Sequence, residues 1–177
     1  LCDADVPTAC LRLGTLLADD DRPADAAQLF ARACDDGLAS ACTSLGFAAY
    51  TGRGADWDVA RARDLYQRAC DAGDAWGCAD LGELEELGVG APPDAAAARA
   101  HYQAACDDVA SIGCARLALS LEAATPTVAH GHATRACADG DPLGCAIAGG
   151  VHEFAVRAVV ERFRGDGVQD GVRRQVR

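Results

Sequence analysis

Residues 34–42 read Cys34-Asp35-Asp36-Gly37-Leu38-Ala39-Ser40-Ala41-Cys42, two cysteines separated by seven residues. This C-x7-C unit occurs five times and uses all ten cysteines of the 177-residue chain. The first cysteines of the five units follow one another after 32, 36, 36 and 31 residues. A nearly fixed period of this size predicts an all-α protein, a solenoid of αα-hairpins.

The spacing within each unit favours a disulfide across a chain reversal. On one continuous helix the two cysteines would lie about 12 Å apart, whereas a disulfide needs Cα atoms within roughly 7 Å. Gly37, Gly73 and Gly140 lie three residues after a first cysteine, where a helix-ending glycine belongs, and Asp74 and Asp141 then suit the N-cap of the next helix. We therefore predict one disulfide per repeat, in the pairs Cys2–Cys10, Cys34–Cys42, Cys70–Cys78, Cys106–Cys114 and Cys137–Cys145.

Two alternatives to disulfides stay open on the sequence alone: reduced, buried cysteines and zinc ligands. Structural zinc usually takes cysteines two to four residues apart with a second pair nearby, and a spacing of seven does not fit. The sequence does not formally fix which cysteine pairs with which, and local pairing is the simplest choice. Five disulfides would place the protein in an oxidising compartment, secreted or periplasmic.

The charge of the chain is unevenly distributed. The net charge is −11, made up of −14 over residues 1–156 and +3 over residues 157–177. The acidic body argues against a nucleic-acid partner, which needs a basic footprint. No apolar run reaches 18 residues, so we predict no transmembrane helix.

The chain begins with Leu1 inside a repeat and shows no signal peptide, so we expect a fragment or a processed form. A lipid anchor at Cys2 is an alternative, but the regular pairing of Cys2 with Cys10 argues against it.

Helical periodicity divides each repeat into a first helix, A, and a second helix, B. The first hairpin is predicted at 7–18 and 23–36, and the second at 38–51 and 57–72. A glycine lies four residues after each of the first three A-helix cysteines, and an aromatic residue lies four residues before the next B-helix cysteine. We expect each glycine to let the two helices approach closely. The fourth repeat has Ala118 and Ala133 at these two positions.

The repeat pattern covers residues 1–150 and drifts beyond Gly150. We expect residues 151–177 to form a divergent helical segment with a basic tail.

The unit C-x-x-L-G, then G-x-G, then D-x-x-x-A-x-x-x-[YF]-x-x-x-C resembles the Sel1-like repeat. With its paired cysteines, it is similar to the Helicobacter cysteine-rich protein family over about residues 2–150. The resemblance implies a Sel1-like, TPR-like right-handed superhelix with a concave surface, used as an adaptor scaffold. Some members of the cysteine-rich family are described as penicillin-binding or weak β-lactamase proteins, which gives hydrolysis as the alternative function.

The residues themselves argue against catalysis. A serine β-lactamase needs an activating lysine, and this chain has none. His130 and His132, two residues apart on a helix, would point to different faces and hold one metal ion poorly. His101 and His152 are interpreted as isolated, and the cluster Glu83-Glu85-Glu86 as a solvated face. We therefore predict no catalytic residue, no cofactor and no metal.

The candidate binding face follows from the architecture, because A helices line the concave side of such solenoids. Positions two and five residues after the A-helix cysteines leave the packed face and provide apolar anchors among polar groups. They are Arg12, Ser44, Phe47, Asp80, Glu83, Arg116 and Leu119. We predict a protein or peptide partner and a monomeric chain. The alternative, that Phe47 and Leu119 are ordinary packing residues, stays open, and Trp57 and Trp76 are expected to cover the core near helix starts.

Overall fold

A computed structural model describes residues 6–108 and 111–150, and this part of the chain contains nine α-helices and no strand. The helices are α1 (Pro7–Asp19), α2 (Pro23–Asp35), α3 (Ala39–Thr51), α4 (Val59–Asp71), α5 (Ala75–Leu87), α6 (Ala95–Asp107), α7 (Ser111–Leu121), α8 (Pro126–Ala138) and α9 (Pro142–Ala148). The predicted all-α hairpin repeat is confirmed. The chain divides into two compact units, residues 1–77 and 78–177.

Three of the four described B helices, α2, α4 and α8, are followed by the predicted glycine, whereas α6 is followed by Asp108. Gly37 adopts a φ of +89°, in the left-handed region that costs glycine little, and Gly73 and Gly140 do the same with 85° and 87°. After Gly73 and Gly140 the next helix is capped by an aspartate, whereas α3, after Gly37, has Leu38 at its N-cap and no side-chain cap. Asp74 accepts a hydrogen bond from the backbone N–H of Gly77 at 3.0 Å, and Asp141 accepts one from Gly144 at 2.8 Å. Two of the turns between repeats therefore combine a helix-ending glycine with a helix-capping aspartate.

Disulfides bridge these turns. The structure contains the bridges Cys34–Cys42, Cys106–Cys114 and Cys137–Cys145, with Cα–Cα distances of 4.7, 4.4 and 4.3 Å. Cys10, Cys70 and Cys78 are disulfide-bonded as well, and no described cysteine is free. Cys2 lies outside the described residues, so the pair Cys2–Cys10 stays a prediction, as does Cys70–Cys78.

The close approach within each of the first three hairpins depends on glycine. A Cβ placed on Gly14 would lie 2.6 Å from the ring of Phe30, and a Cβ on Gly46 would lie 2.7 Å from the ring of Tyr66. In the second unit, the same test on Gly82 gives 2.8 Å to Tyr102. Each aromatic ring therefore occupies the space that a side chain on the A helix would need.

The fourth hairpin replaces this pair by two alanines. Ala118 and Ala133 are both fully buried in one core cluster of the second unit. With alanine at position 133 in place of phenylalanine or tyrosine, the A helix has room for a methyl group at the position of the glycine. The glycine-to-alanine change at position 118 and the aromatic-to-alanine change at position 133 therefore compensate each other in volume.

Arginines connect consecutive B helices inside each unit. Arg68 on α4 donates a hydrogen bond to the carbonyl oxygen of Cys34, at the end of α2, at 3.3 Å. On α8, a guanidinium nitrogen of Arg135 lies 3.8 Å from Sγ of Cys106, at the end of α6. Each arginine lies two residues before a B-helix cysteine, and a cation there also offsets the negative end of the preceding helix.

No helix in the described part of the chain is both long and apolar enough to cross a bilayer. The predicted C-terminal helical segment and basic tail, residues 151–177, lie outside the described residues, as does His152.

Candidate functional site

The first unit presents three of the predicted binding-face residues. Arg12 is exposed on α1. Ser44 is half-buried on α3, and its hydroxyl donates to the carbonyl oxygen of Ser40 at 3.0 Å. Phe47, in the middle of α3, keeps 50% of its surface exposed. The aromatic ring is therefore the largest apolar group that α3 offers to solvent.

The second unit contains the other four predicted residues, and two of them contact each other. Asp80 on α5 and Leu119 on α7 are half-buried, with Leu119 packed against the core of that unit. Arg116 on α7 donates a hydrogen bond to the Glu83 carboxylate on α5 at 3.1 Å. The sequence placed both residues on the face but did not predict that they pair. Their separation of 33 residues, close to one repeat, is the signal that would have predicted it.

The Glu83–Arg116 ion pair lies mostly out of solvent, with side-chain exposures of 10% and 11%. Burial raises the pKa of the Glu83 carboxyl above its usual value, although the Arg116 guanidinium acts in the opposite direction. Burial of such a pair is stabilising only where each charge keeps its partner. The pair fixes α5 against α7 more than it offers a charge to a ligand.

The interpretation of Glu83-Glu85-Glu86 as a solvated face is wrong for two of its three members. Glu83 is 8% exposed and Glu85 is 5% exposed, while Glu86 alone is exposed. Buried carboxylates require partners, and α6 and α7 supply them. Those partners come from other helices, so the periodicity of α5 alone could not predict the burial.

His101 is not isolated, which corrects a second prediction. Its Nδ1 lies 2.7 Å from Oε2 of Glu85. The neighbouring Tyr102, fully buried, donates its hydroxyl proton to Glu86 at 2.8 Å. Burial first and the Glu86 carboxylate second raise the pKa of Tyr102, so this phenol stays protonated. The arrangement joins α5 to α6 by two hydrogen-bonded pairs on consecutive residues.

The remaining histidines lie on α8. His130 is exposed, whereas His132 is half-buried with Nδ1 3.7 Å from Sγ of Cys106. Within residues 6–108 and 111–150, no three His, Cys, Asp or Glu side chains are grouped to hold a metal ion.

The expectation that both tryptophans cover the core fits Trp57, which is partly buried, and is wrong for Trp76. Trp57, in the segment before α4, is half-buried, with its Cβ 3.4 Å from where a Cβ on Gly52 would lie. Trp76, at the start of α5, is 56% exposed and covers little of the core. Sequence reasoning also missed Thr43, which donates a hydrogen bond to Asp74 at 2.5 Å and so ties α3 to the cap of α5.

Solved structures share this fold. A Sel1 repeat protein from Oxalobacter formigenes is 21% identical, with a TM-score of 0.67 over 78% of this chain and 60% of that chain. The protective antigen c5321 of uropathogenic Escherichia coli, which displays an SLR fold, is 20% identical, with a TM-score of 0.75 over 90% of this chain and 38% of that chain. The chain thus spans less than two thirds of either protein, and at these identities the likeness shows the fold alone.

A comparison with curated proteins gave no match. The family model of the Sel1 repeat matches residues 7–38, 39–74 and 77–108, more than half of the chain. These matches coincide with the first three hairpins, including the turns that the disulfides and aspartate caps form. The chain therefore belongs to the Sel1 repeat family.

Proposed function

We propose that this protein is a non-enzymatic scaffold that binds a protein or peptide through the outward face of its A helices. Sel1 repeats serve generally as scaffolds built from helical hairpins, and a hairpin array offers long, rigid surfaces for such binding. Its disulfides support a location in an oxidising compartment, either secreted or periplasmic.

The observation that carries the proposal is the exposure of Phe47. The adjacent residues on α3, from Leu45 to Tyr50, are otherwise buried, yet this aromatic ring is half exposed. A large, rigid aromatic side chain held on a helix loses little entropy when it is covered, and such residues dominate binding energy at protein interfaces. An ordinary packing residue at this position would be buried with its neighbours.

The polar groups near Phe47 are already hydrogen-bonded within the helix, so the aromatic ring is the principal group available to a partner. The hydroxyl of Ser44 is bonded to the helix backbone, and that of Thr51 donates to the carbonyl oxygen of Phe47 at 2.8 Å. In the second unit, Glu83 and Arg116 neutralise each other. The recognised segment should therefore present an apolar anchor to α3, with its polar groups satisfied at the rim.

The test is a selection of displayed peptides on the oxidised protein, followed by binding measurements on the variant Phe47→Ala. We expect the variant to bind selected peptides about 30-fold more weakly, the effect of losing a residue that contributes roughly 2 kcal/mol. The matched control is Val128→Ala, since Val128 is 51% exposed on α8, a B helix. Circular dichroism establishes that both variants remain folded.

Unchanged affinity in Phe47→Ala would contradict the proposal. Equal losses in the two variants would contradict it as well, because binding would then not distinguish A helices from B helices.

A further inference from the structure

We infer that the bridge Cys137–Cys145 is a site of thiol–disulfide exchange, at which thiols dissolved in the surrounding medium open the last described turn of the array. The comparison with the other bridges of known pairing carries this inference. All three close loops of the same length, with a sequence separation of 8. In each, the second sulfur lies 3.6 or 3.7 Å from the carbonyl oxygen of the first cysteine.

The three bridges have the same loop length but differ in how far solvent reaches their cysteines. Cys34 and Cys42 are 1% and 4% exposed, and Cys106 and Cys114 are 0% and 1% exposed. Cys145 is exposed, and Cys137 is half-buried. Exchange requires a thiolate to reach a sulfur atom. A buried bridge must first open locally, which slows exchange in proportion to the rarity of the open state.

Reduction of this bridge takes two exchange steps and begins at Cys145. An external thiolate attacks Sγ of Cys145, the sulfur–sulfur bond to Cys137 breaks, and Cys137 leaves as a thiolate that takes a proton from solvent. A second external thiol then resolves the mixed disulfide, which leaves two protein thiols and one external disulfide. After this step α9 is held to its unit by non-covalent contacts, including those of the buried Leu143 and Ile147.

A competing effect favours a different bridge. The guanidinium of Arg135 lies 3.8 Å from Sγ of Cys106, and its positive charge stabilises a departing thiolate. With full burial of Cys106, this stabilisation operates only after local opening. Access therefore decides the order in the folded protein, and Cys137–Cys145 reacts first.

The experiment uses the folded, oxidised protein and dithiothreitol, with timed alkylation and tryptic mass mapping. Because the chain has no lysine, trypsin cuts only after arginine, and each bridge lies within one peptide: 33–53, 100–116 and 136–157. We expect alkylation of peptide 136–157 to be at least about tenfold faster than that of the other two. The control repeats the time course in guanidinium chloride, where loops of equal length should react at similar rates.

The inference is overturned if peptide 33–53 or 100–116 is alkylated as fast as peptide 136–157 in the folded protein. Faster reaction of 100–116 would show that the charge of Arg135 beside Cys106 outweighs the burial of that cysteine. A tenfold preference that persists in denaturant also overturns it, because the preference would then be independent of the fold.

Discussion

Replacing Gly46 by alanine should destabilise the second hairpin, although the same change usually stabilises a helix. The added Cβ would lie 2.7 and 2.8 Å from two carbons of the Tyr66 ring. Tyr66 is 2% exposed, so the ring has little room to move away. Overpacking of this kind costs about 1–3 kcal/mol, and the gain in helix propensity returns roughly 1 kcal/mol. We expect a net loss of up to about 2 kcal/mol in the free energy of unfolding.

The chain provides its own control. Gly131 lies inside α8, and a Cβ placed on it meets no atom within 4 Å. The variant Gly131→Ala should therefore gain about 1 kcal/mol from helix propensity alone. Urea unfolding of the oxidised protein, followed by circular dichroism, measures both variants on one scale.

A second variant tests the contact itself. In a Tyr66→Leu background the ring that meets the new methyl group is gone, so Gly46→Ala should cost less there than in the wild type. The two costs should differ by about 1 kcal/mol or more, as for residues in direct contact. Our account of the packing is refuted if Gly46→Ala stabilises the protein as much as Gly131→Ala does, or if its cost is the same in both backgrounds.

Three further predictions concern charge and cross-linking. Burial raises the pKa of Glu83 above 4.5, so this residue stabilises the fold most at lower pH; the stability of the wild type relative to Glu83→Gln should fall as pH rises through the folded-state pKa. The pKa of Asp94 is lowered below 3.8 by the backbone N–H groups of Ala97 and Ala96, so the advantage of the wild type over Asp94→Asn should be full above pH 3.8 and disappear at lower pH. Urea titrations over a pH series check both predictions. An advantage of Glu83 that grows as pH rises, or an advantage of Asp94 that grows as pH falls, would contradict the assignments. Replacing Cys34 and Cys42 together by serine should cost about 2.5 kcal/mol, the entropy of closing a nine-residue loop, in the same unfolding assay.

The sequence predicts the helices and turns well because their signals are local. The glycines that follow α2, α4 and α8 and the aspartates that cap α5 and α9 lie within a few residues of the cysteines they accompany. The close pairing of Gly46 with Tyr66 is also readable, since both positions are fixed relative to cysteines. These features depend on backbone conformation and volume, which a single repeat already specifies.

The environment of the acidic residues on α5 could not be read in this way. Whether Glu85 is solvated or buried depends on His101, which comes from the next helix along the chain. Glu83 depends on Arg116, a full hairpin away. In each case the charge and its partner come together only when neighbouring helices pack, so a helix read alone favours the wrong environment.

The arrangement of contacts has a consequence for how such arrays grow. The glycine and the aromatic ring that fit together always belong to the same hairpin, and so do the two alanines that replace them in the fourth. A duplicated or transplanted hairpin therefore carries its own internal fit with it. The residues that must match a new neighbour lie at the junctions, and they include the cysteines, the arginine that contacts the preceding B helix, and close contacts such as that of Gly113 with Ala105. Since the C-x7-C spacing is constant along this chain, a duplicated hairpin would bring the same cysteine positions to each new junction.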